Sequence, residues 1–201
     1  MIVTLPEGSK DITLDQFQRM HALNNREGLT PEKYEAEFIN IFTGIPKTKV
    51  KSIKLSDYES LVNAITKALN TENPFTDRFI IDGVEYGFMP SLDEMTQNEF
   101  WHLSEYEKEV KDLHLLMAVL FRPITKKDKF NNYEIETFKS AKERGKVFKK
   151  MTMNNVNGAL GFFLTLSKQL RKAIQRSTAQ ELARVAKRKT TSLSGDGMQL
   201  S

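Results

Sequence analysis

The ten residues Phe79-Ile80-Ile81-Asp82-Gly83-Val84-Glu85-Tyr86-Gly87-Phe88 constrain the fold more than any other stretch of the chain. Two short runs rich in β-branched and aromatic residues flank an Asp-Gly pair. That pair suits a two-residue type I′ turn, in which both central residues take positive φ. The spacing therefore predicts a β-hairpin over 79–88, left by way of Met89–Pro90.

Around the hairpin the pattern is helical. Residues 1–10 read as extended, with Ile2, Val3 and Leu5 ahead of a turn at Pro6–Gly8. Thr13 opens a helix expected to reach Arg26, with Leu14, Phe17, Met20 and His21 on one face, and Gly28 stops it. Thr30–Pro31 supplies an N-cap and a proline at the first helical position. The helix it opens is expected to bury Tyr34, Phe38, Ile41 and Phe42 and to end at Gly44. In the basic stretch 47–54 and just beyond it, Val50, Ile53 and Leu55 can pack. Ser56 and Glu59 make a capping box for a helix carrying Leu61, Ile65 and Leu69, broken at Asn73–Pro74.

Thr96 and Glu99 form a second capping box, opening a short helix with Phe100, Trp101 and Leu103. Large aromatics favour burial, so Phe100 and Trp101 are expected in the core. The run Leu113–Phe121, LHLLMAVLF, is apolar almost all round and predicts a buried central helix, stopped at Arg122–Pro123. Residues 125–132 read as a polar loop, Tyr133–Glu136 as a brief strand and Ser140–Met151 as a helix. From Asn154 to Gln175, Val156, Leu160, Phe163, Leu164, Ser167, Leu170 and Ile174 lie near one helical stripe. Gly158 and Gly161 sit there at points of close approach for a neighbouring helix. The expected fold is α+β and predominantly helical. It comprises a domain over 1–150 with one hairpin, a basic amphipathic helical arm over 151–190, and a flexible tail over 191–201.

Charge divides the chain. Residues 139–201 hold fourteen basic residues against Glu143, Glu181 and Asp196, a net of +11; residues 1–138 hold sixteen basic and twenty-three acidic residues, a net of −7. Within 82–112 nine acids face only Lys108 and Lys111. Such a dipole fits nucleic acid, an acidic partner surface, a second copy of the chain, or a solvated face balanced by its own body.

The sequence shows little chemistry. It has no cysteine, which excludes disulfides, thiolate nucleophiles and Cys-type zinc sites. It has no apolar run of about 18 residues for a transmembrane helix, and its first residues lack a signal peptide's basic region and apolar core. Nucleotide-binding glycine loops and serine-nucleophile motifs are missing. His21, His102 and His114 fall at no metal-site spacing. The acids Asp93, Glu94, Glu99, Glu105, Glu107 and Glu109 read as a solvated face. No enzymatic activity, cofactor or metal is expected. The clearer candidate is a cationic stripe, Lys168, Arg171, Lys172 and Arg176, at i, i+3, i+4 and i+8, extended by Arg184, Lys187, Arg188 and Lys189. It suits docking onto a partner or a second copy, packing within the chain, or non-specific contact with nucleic acid through phosphates. The stripe carries no interleaved aromatics for base stacking, and no membrane contact is expected. Glu105, Glu107, Glu109 and Asp112 form the candidate complementary face.

The run DGVEYGFMPSLDEMTQNEF at 82–100, then LHLLMAVLFRPI at 113–124 and GALGFFLTLSKQL at 158–170, resembles a family of small structural-module proteins of tailed bacteriophages. In that family an EYGF-P-LDEMT-xEF segment precedes a MAVLxRPI helix and an aromatic-rich amphipathic helix. The resemblance covers roughly residues 80–175 and leaves 1–78 outside it. It implies a virion component or an assembly factor, tail-assembly chaperones included. Such a protein would be made in the host cytoplasm, joined to other virion or assembly proteins and to copies of itself, with no catalytic residues.

Overall fold

The structure, a computed structural model, describes residues 6–71, 74–91 and 94–165. The fold is α+β and mainly helical, as the sequence predicts.

Local signals build the N-terminal layer. The Thr13 hydroxyl accepts from Gln16 N at 3.3 Å, and Gln16 Oε1 accepts from Thr13 N at 2.9 Å, opening α1 (Leu14–Asn24). This reciprocal box satisfies donors that a first turn otherwise leaves without partners. Thr30 caps α2 (Pro31–Thr43), and Gly44 N closes it by donating to Asn40 O at 2.9 Å. A single turn, α3 (Lys47–Val50), leads to α4 (Leu55–Leu69). Ile39, Ile45, Val50 and Leu61 form a buried cluster flanked by Phe38, Ile53 and Tyr58.

Three expectations shift in this layer. Lys54 O accepts from both Asp57 N and Tyr58 N at 3.0 Å, so α4 starts with Lys54 at its N-cap and Ser56 lies inside the first turn. Leu55, now on that turn's outer side, is exposed. Tyr34, Phe38 and Phe42 are only half-buried. They line the margin of α2, their successive ring centroids 6.2 and 5.2 Å apart, while Ile39 and Ile41 take the buried positions.

The sheet organises the rest. β1 (Arg78–Ile81) pairs antiparallel with β2 (Val84–Phe88), Ile81 opposite Val84. Asp82 and Gly83 close the pair at φ 51° and 78°, the doubly positive turn that the Asp-Gly pair predicts. The hairpin is half of a larger sheet: a strand takes the place of the stop expected at Arg122–Pro123 and of the start of the expected polar loop, and the brief strand expected at Tyr133–Glu136 is present. β3 (Phe121–Lys127) and β4 (Tyr133–Ile135) complete an antiparallel order β1-β2-β3-β4. Pro123 lies within β3, opposite Tyr86. Its carbonyl accepts from Glu136 N at 2.9 Å, so its missing N–H falls on the β4 side, where the ladder is already irregular between Ile124 and Lys126.

Between the hairpin and β3 come α5 (Gln97–Tyr106) and α6 (Leu113–Leu120). Leu113, Leu116, Met117, Ala118, Val119 and Leu120 are all buried, as an all-round apolar helix requires. α7 (Ala141–Phe148) packs against α6. Phe79, Tyr86, Phe88, Phe121 and Phe148 join the sheet to α7, with neighbouring ring centroids between 4.8 and 6.4 Å apart.

The chain then returns to its start. Leu14 N donates to Met151 O and Met153 N to Ile12 O, both at 2.8 Å. α8 opens at residue 153 and stays helical to residue 165. A Cβ on Gly158 would stand 2.4 Å from Pro74 O. Only glycine permits that approach, and the close neighbour is the 74–75 backbone rather than a helix. The chain divides into two units between Ala159 and Leu160. In the second, the described residues 160–165 are helical and Leu164 is exposed. Among the described residues no helix is long and apolar enough to cross a membrane.

Candidate interaction surface

The second capping box does more than open a helix. The Thr96 hydroxyl accepts from Glu99 N at 3.2 Å, while Glu99 Oε2 accepts from Thr96 N and from the Thr96 hydroxyl, both at 2.7 Å. The other carboxylate oxygen of Glu99 meets Arg122 Nη1 at 2.8 Å, with both side chains more than nine-tenths buried. Glu99 therefore ties the first turn of α5 to β3. Burial pulls the Arg122 pKa down, and the charge of Glu99 opposes that shift. Arg122 Nε has no acceptor among the described residues.

This anchor sets the rotation of α5. With Glu99 inward, the buried positions are Glu99, Leu103 and Tyr106, at i, i+4 and i+7. A helix turns about 100° per residue, so Trp101 faces away from the core. Trp101 is 63% exposed and Phe100 45% exposed. Their expected place in the core is thus overturned: a paired glutamate holds the inward position. The Thr96–Glu99 box is visible in the sequence, but the buried arginine that fixes the helix phase through it is a tertiary contact.

A cleft of about 520 Å³ lies beside this anchor, with Arg122, Met89, Pro90, Thr96, Tyr133 and Phe138 among its lining residues. Several of its charges are paired. Glu136 is held below the usual carboxylate range by its hydrogen bond to Arg144, with Lys139 also in reach at 3.5 Å. Glu134 meets Lys126 at 3.1 Å. Tyr133 donates its hydroxyl to Phe88 O at 2.8 Å, and burial pushes its pKa up to about 12. The network clamps α5, β3, β4 and α7 together.

The acids predicted as a complementary face divide by environment. Glu105 lies on the last turn of α5, one turn after Trp101, 68% exposed and 3.9 Å from His102 Nδ1. Glu107 follows, its N–H donating to Leu103 O at 3.0 Å. Glu109 and Asp112 bracket a 3-10 turn, where Asp112 N donates to Glu109 O at 3.0 Å. Lys111 stands 2.7 Å from Glu109, and its hydrogen bond holds that carboxyl below its ordinary pKa. The most exposed carboxylate on α5 beside the aromatics is that of Glu105. Lys168, Arg171, Lys172 and Arg176 lie outside the described residues, as does Asp93.

The histidines of this region serve separate contacts. His102 stacks on Tyr106 at 5.5 Å and meets Phe138 at 5.6 Å. His114 Nδ1 faces Gln18 Nε2 at 3.1 Å. Among the described residues no three His, Asp or Glu side chains gather to hold a metal ion.

A further exposed aromatic escaped the sequence reading. Phe130 is 74% exposed in the β3–β4 loop. Asp128 Oδ1 shapes that loop by accepting from Phe130 N at 2.8 Å and Asn132 N at 2.9 Å, and Arg78 Nη1 donates to Asn131 Oδ1 at 2.7 Å. The signal was Asp128 itself, whose side chain folds back on the backbone of the residues that follow.

No protein family, curated protein or solved structure matches this chain.

Proposed function

We propose that this chain is a non-enzymatic docking component in the morphogenesis of a tailed bacteriophage, built into the head–tail region of the virion. One observation carries the docking part: Trp101 and Phe100 stand exposed beside Glu105 on a helix whose opposite face is fixed by the Glu99–Arg122 pair. Tryptophan is enriched where partners bind most strongly. A helix held in place loses little conformational freedom on docking. The phage part rests on the resemblance of residues 82–100 and 113–124. Glu99 belongs to the first run and Arg122 to the second, so their ion pair joins the two runs that carry it.

The test is quantitative mass spectrometry of purified particles of the encoding phage, alongside the infected-cell lysate. The chain is expected in particles in fixed ratio to a portal-type protein. Abundance in the lysate with absence from particles would overturn the virion reading and favour an assembly chaperone.

A further inference from the structure

We infer that the α5 face bearing Phe100, Trp101 and Glu105 is the seat for the basic C-terminal segment, residues 164–176, of a second copy of this chain. The inference rests on the docking reading above and names the partner of that surface.

The two surfaces complement each other in both apolar and charged character. The seat offers two exposed aromatic rings with an exposed carboxylate one turn on, and the stretch that follows, 105–112, holds four acids against Lys108 and Lys111. The segment offers Leu170 and Ile174 four residues apart, with Lys168, Arg171, Lys172 and Arg176 at i, i+3, i+4 and i+8. Leu164 is exposed where the structure describes it. From 166 to 189 eight basic residues stand against Glu181 alone. A nucleic acid or an anionic lipid surface would attract the segment but would be repelled by the acidic surroundings of the seat. A second copy satisfies both at once, since each copy carries one seat and one segment. Contacts of this kind are heterologous, and repetition closes them into a ring or extends them into a chain. Opposed charges of this sort set partner and register, and they weaken with salt.

The experiment is light scattering and sedimentation of the full-length chain with two variants. The arm variant carries Lys168→Glu, Arg171→Glu, Lys172→Glu and Arg176→Glu; the seat variant carries Trp101→Ser and Glu105→Lys. Wild type is expected to self-associate at low salt and to dissociate as salt rises. Each variant alone is expected to be monomeric, with an unchanged circular dichroism spectrum. Their equimolar mixture is expected to form a one-to-one dimer that grows no further, because one intact seat then meets one intact segment. A wild type monomeric at all concentrations would overturn the inference, and would point to a segment seated on its own copy or on another molecule. Self-association that survives in either variant, or a mixture that stays monomeric, would overturn it as well. Incorporation into particles is a separate measurement, so the docking reading can stand where this inference falls.

Discussion

α5 and α6 are neighbours in the chain, yet different forces hold them. α6 buries six of its eight residues, all of them apolar. α5 buries three of its ten, one of them Glu99, and leaves its tryptophan in solvent. Apolar burial is non-directional, so α6 is held by its surroundings as a whole. An ion pair and a capping box are directional, so α5 is held at one end and in one rotation. A helix fixed by two or three inward contacts can give the rest of its surface to a partner. A helix buried on nearly every side has no surface left to give.

The sharpest way to break this comparison is to remove the anchor. Glu99→Ala leaves the Arg122 guanidinium buried without its counter-charge, a change expected to cost about 3–5 kcal/mol. The double variant Glu99→Leu with Arg122→Met is expected to recover most of that loss, because no buried charge remains to be compensated. Urea denaturation of the three proteins measures both effects. A Glu99→Ala loss below about 1 kcal/mol, the range of exposed ion pairs, would show that α5 is held by something else.

On α6 the corresponding probe is Val119→Ala. Val119 is fully buried, and removing two methyl groups from such a site costs about 2 kcal/mol in lost transfer energy and residual cavity. No charge is involved, so the loss is expected to be the same at low and high salt. A loss that moves with salt would mean that α6 too depends on its polar neighbours.

The contrast between the helices also separates what the sequence makes legible from what it hides. The apolar run 113–121 announces a buried helix because nearly every position agrees. The Asp82–Gly83 turn is legible because few residue pairs accept two positive φ values. Thr13, Thr30 and Thr96 mark helix starts because capping is local chemistry. The exposure of Trp101 was not legible, because it depends on Arg122, twenty-three residues after Glu99, reaching back to fix the rotation. β3 was hidden for a related reason: Pro123 reads as a breaker unless its carbonyl is known to face β4.

α6 carries one polar device of its own, which sharpens the comparison through pH. His114 lies at the start of α6, with Gln18 of α1 facing its Nδ1. Burial lowers its pKa, and Lys149 lowers it further; Asp112, Asp15 and the backbone at Lys111 pull the other way. A histidine whose folded pKa lies below its unfolded value of about 6.5 stabilises the fold fully above that pH. That contribution is lost as pH falls below it, because the unfolded chain then takes up the proton first. Melting temperature is therefore expected to fall between pH 7.5 and 5.5, and to fall less in His114→Gln. An equal fall in both proteins would assign the acid sensitivity to other groups.

The smallest expected effect falls on the largest side chain. Trp101→Ala deletes the chain's single tryptophan, and in a core such a truncation costs about 3–5 kcal/mol. Here the side chain stands mostly in solvent on a helix fixed through Glu99, so folding removes little of its apolar surface from water. Surface substitutions of this kind change stability by no more than about 0.5 kcal/mol. Urea midpoints by circular dichroism measure it, since fluorescence is lost with the residue. In the wild type that same fluorescence reports the indole's surroundings directly. Monomeric protein is expected to emit as a solvated indole, and a shift to shorter wavelength on association would record the seat being covered. A stability loss of about 2 kcal/mol or more would place Trp101 in the core, because an apolar side chain contributes that much to folding only through the area it buries.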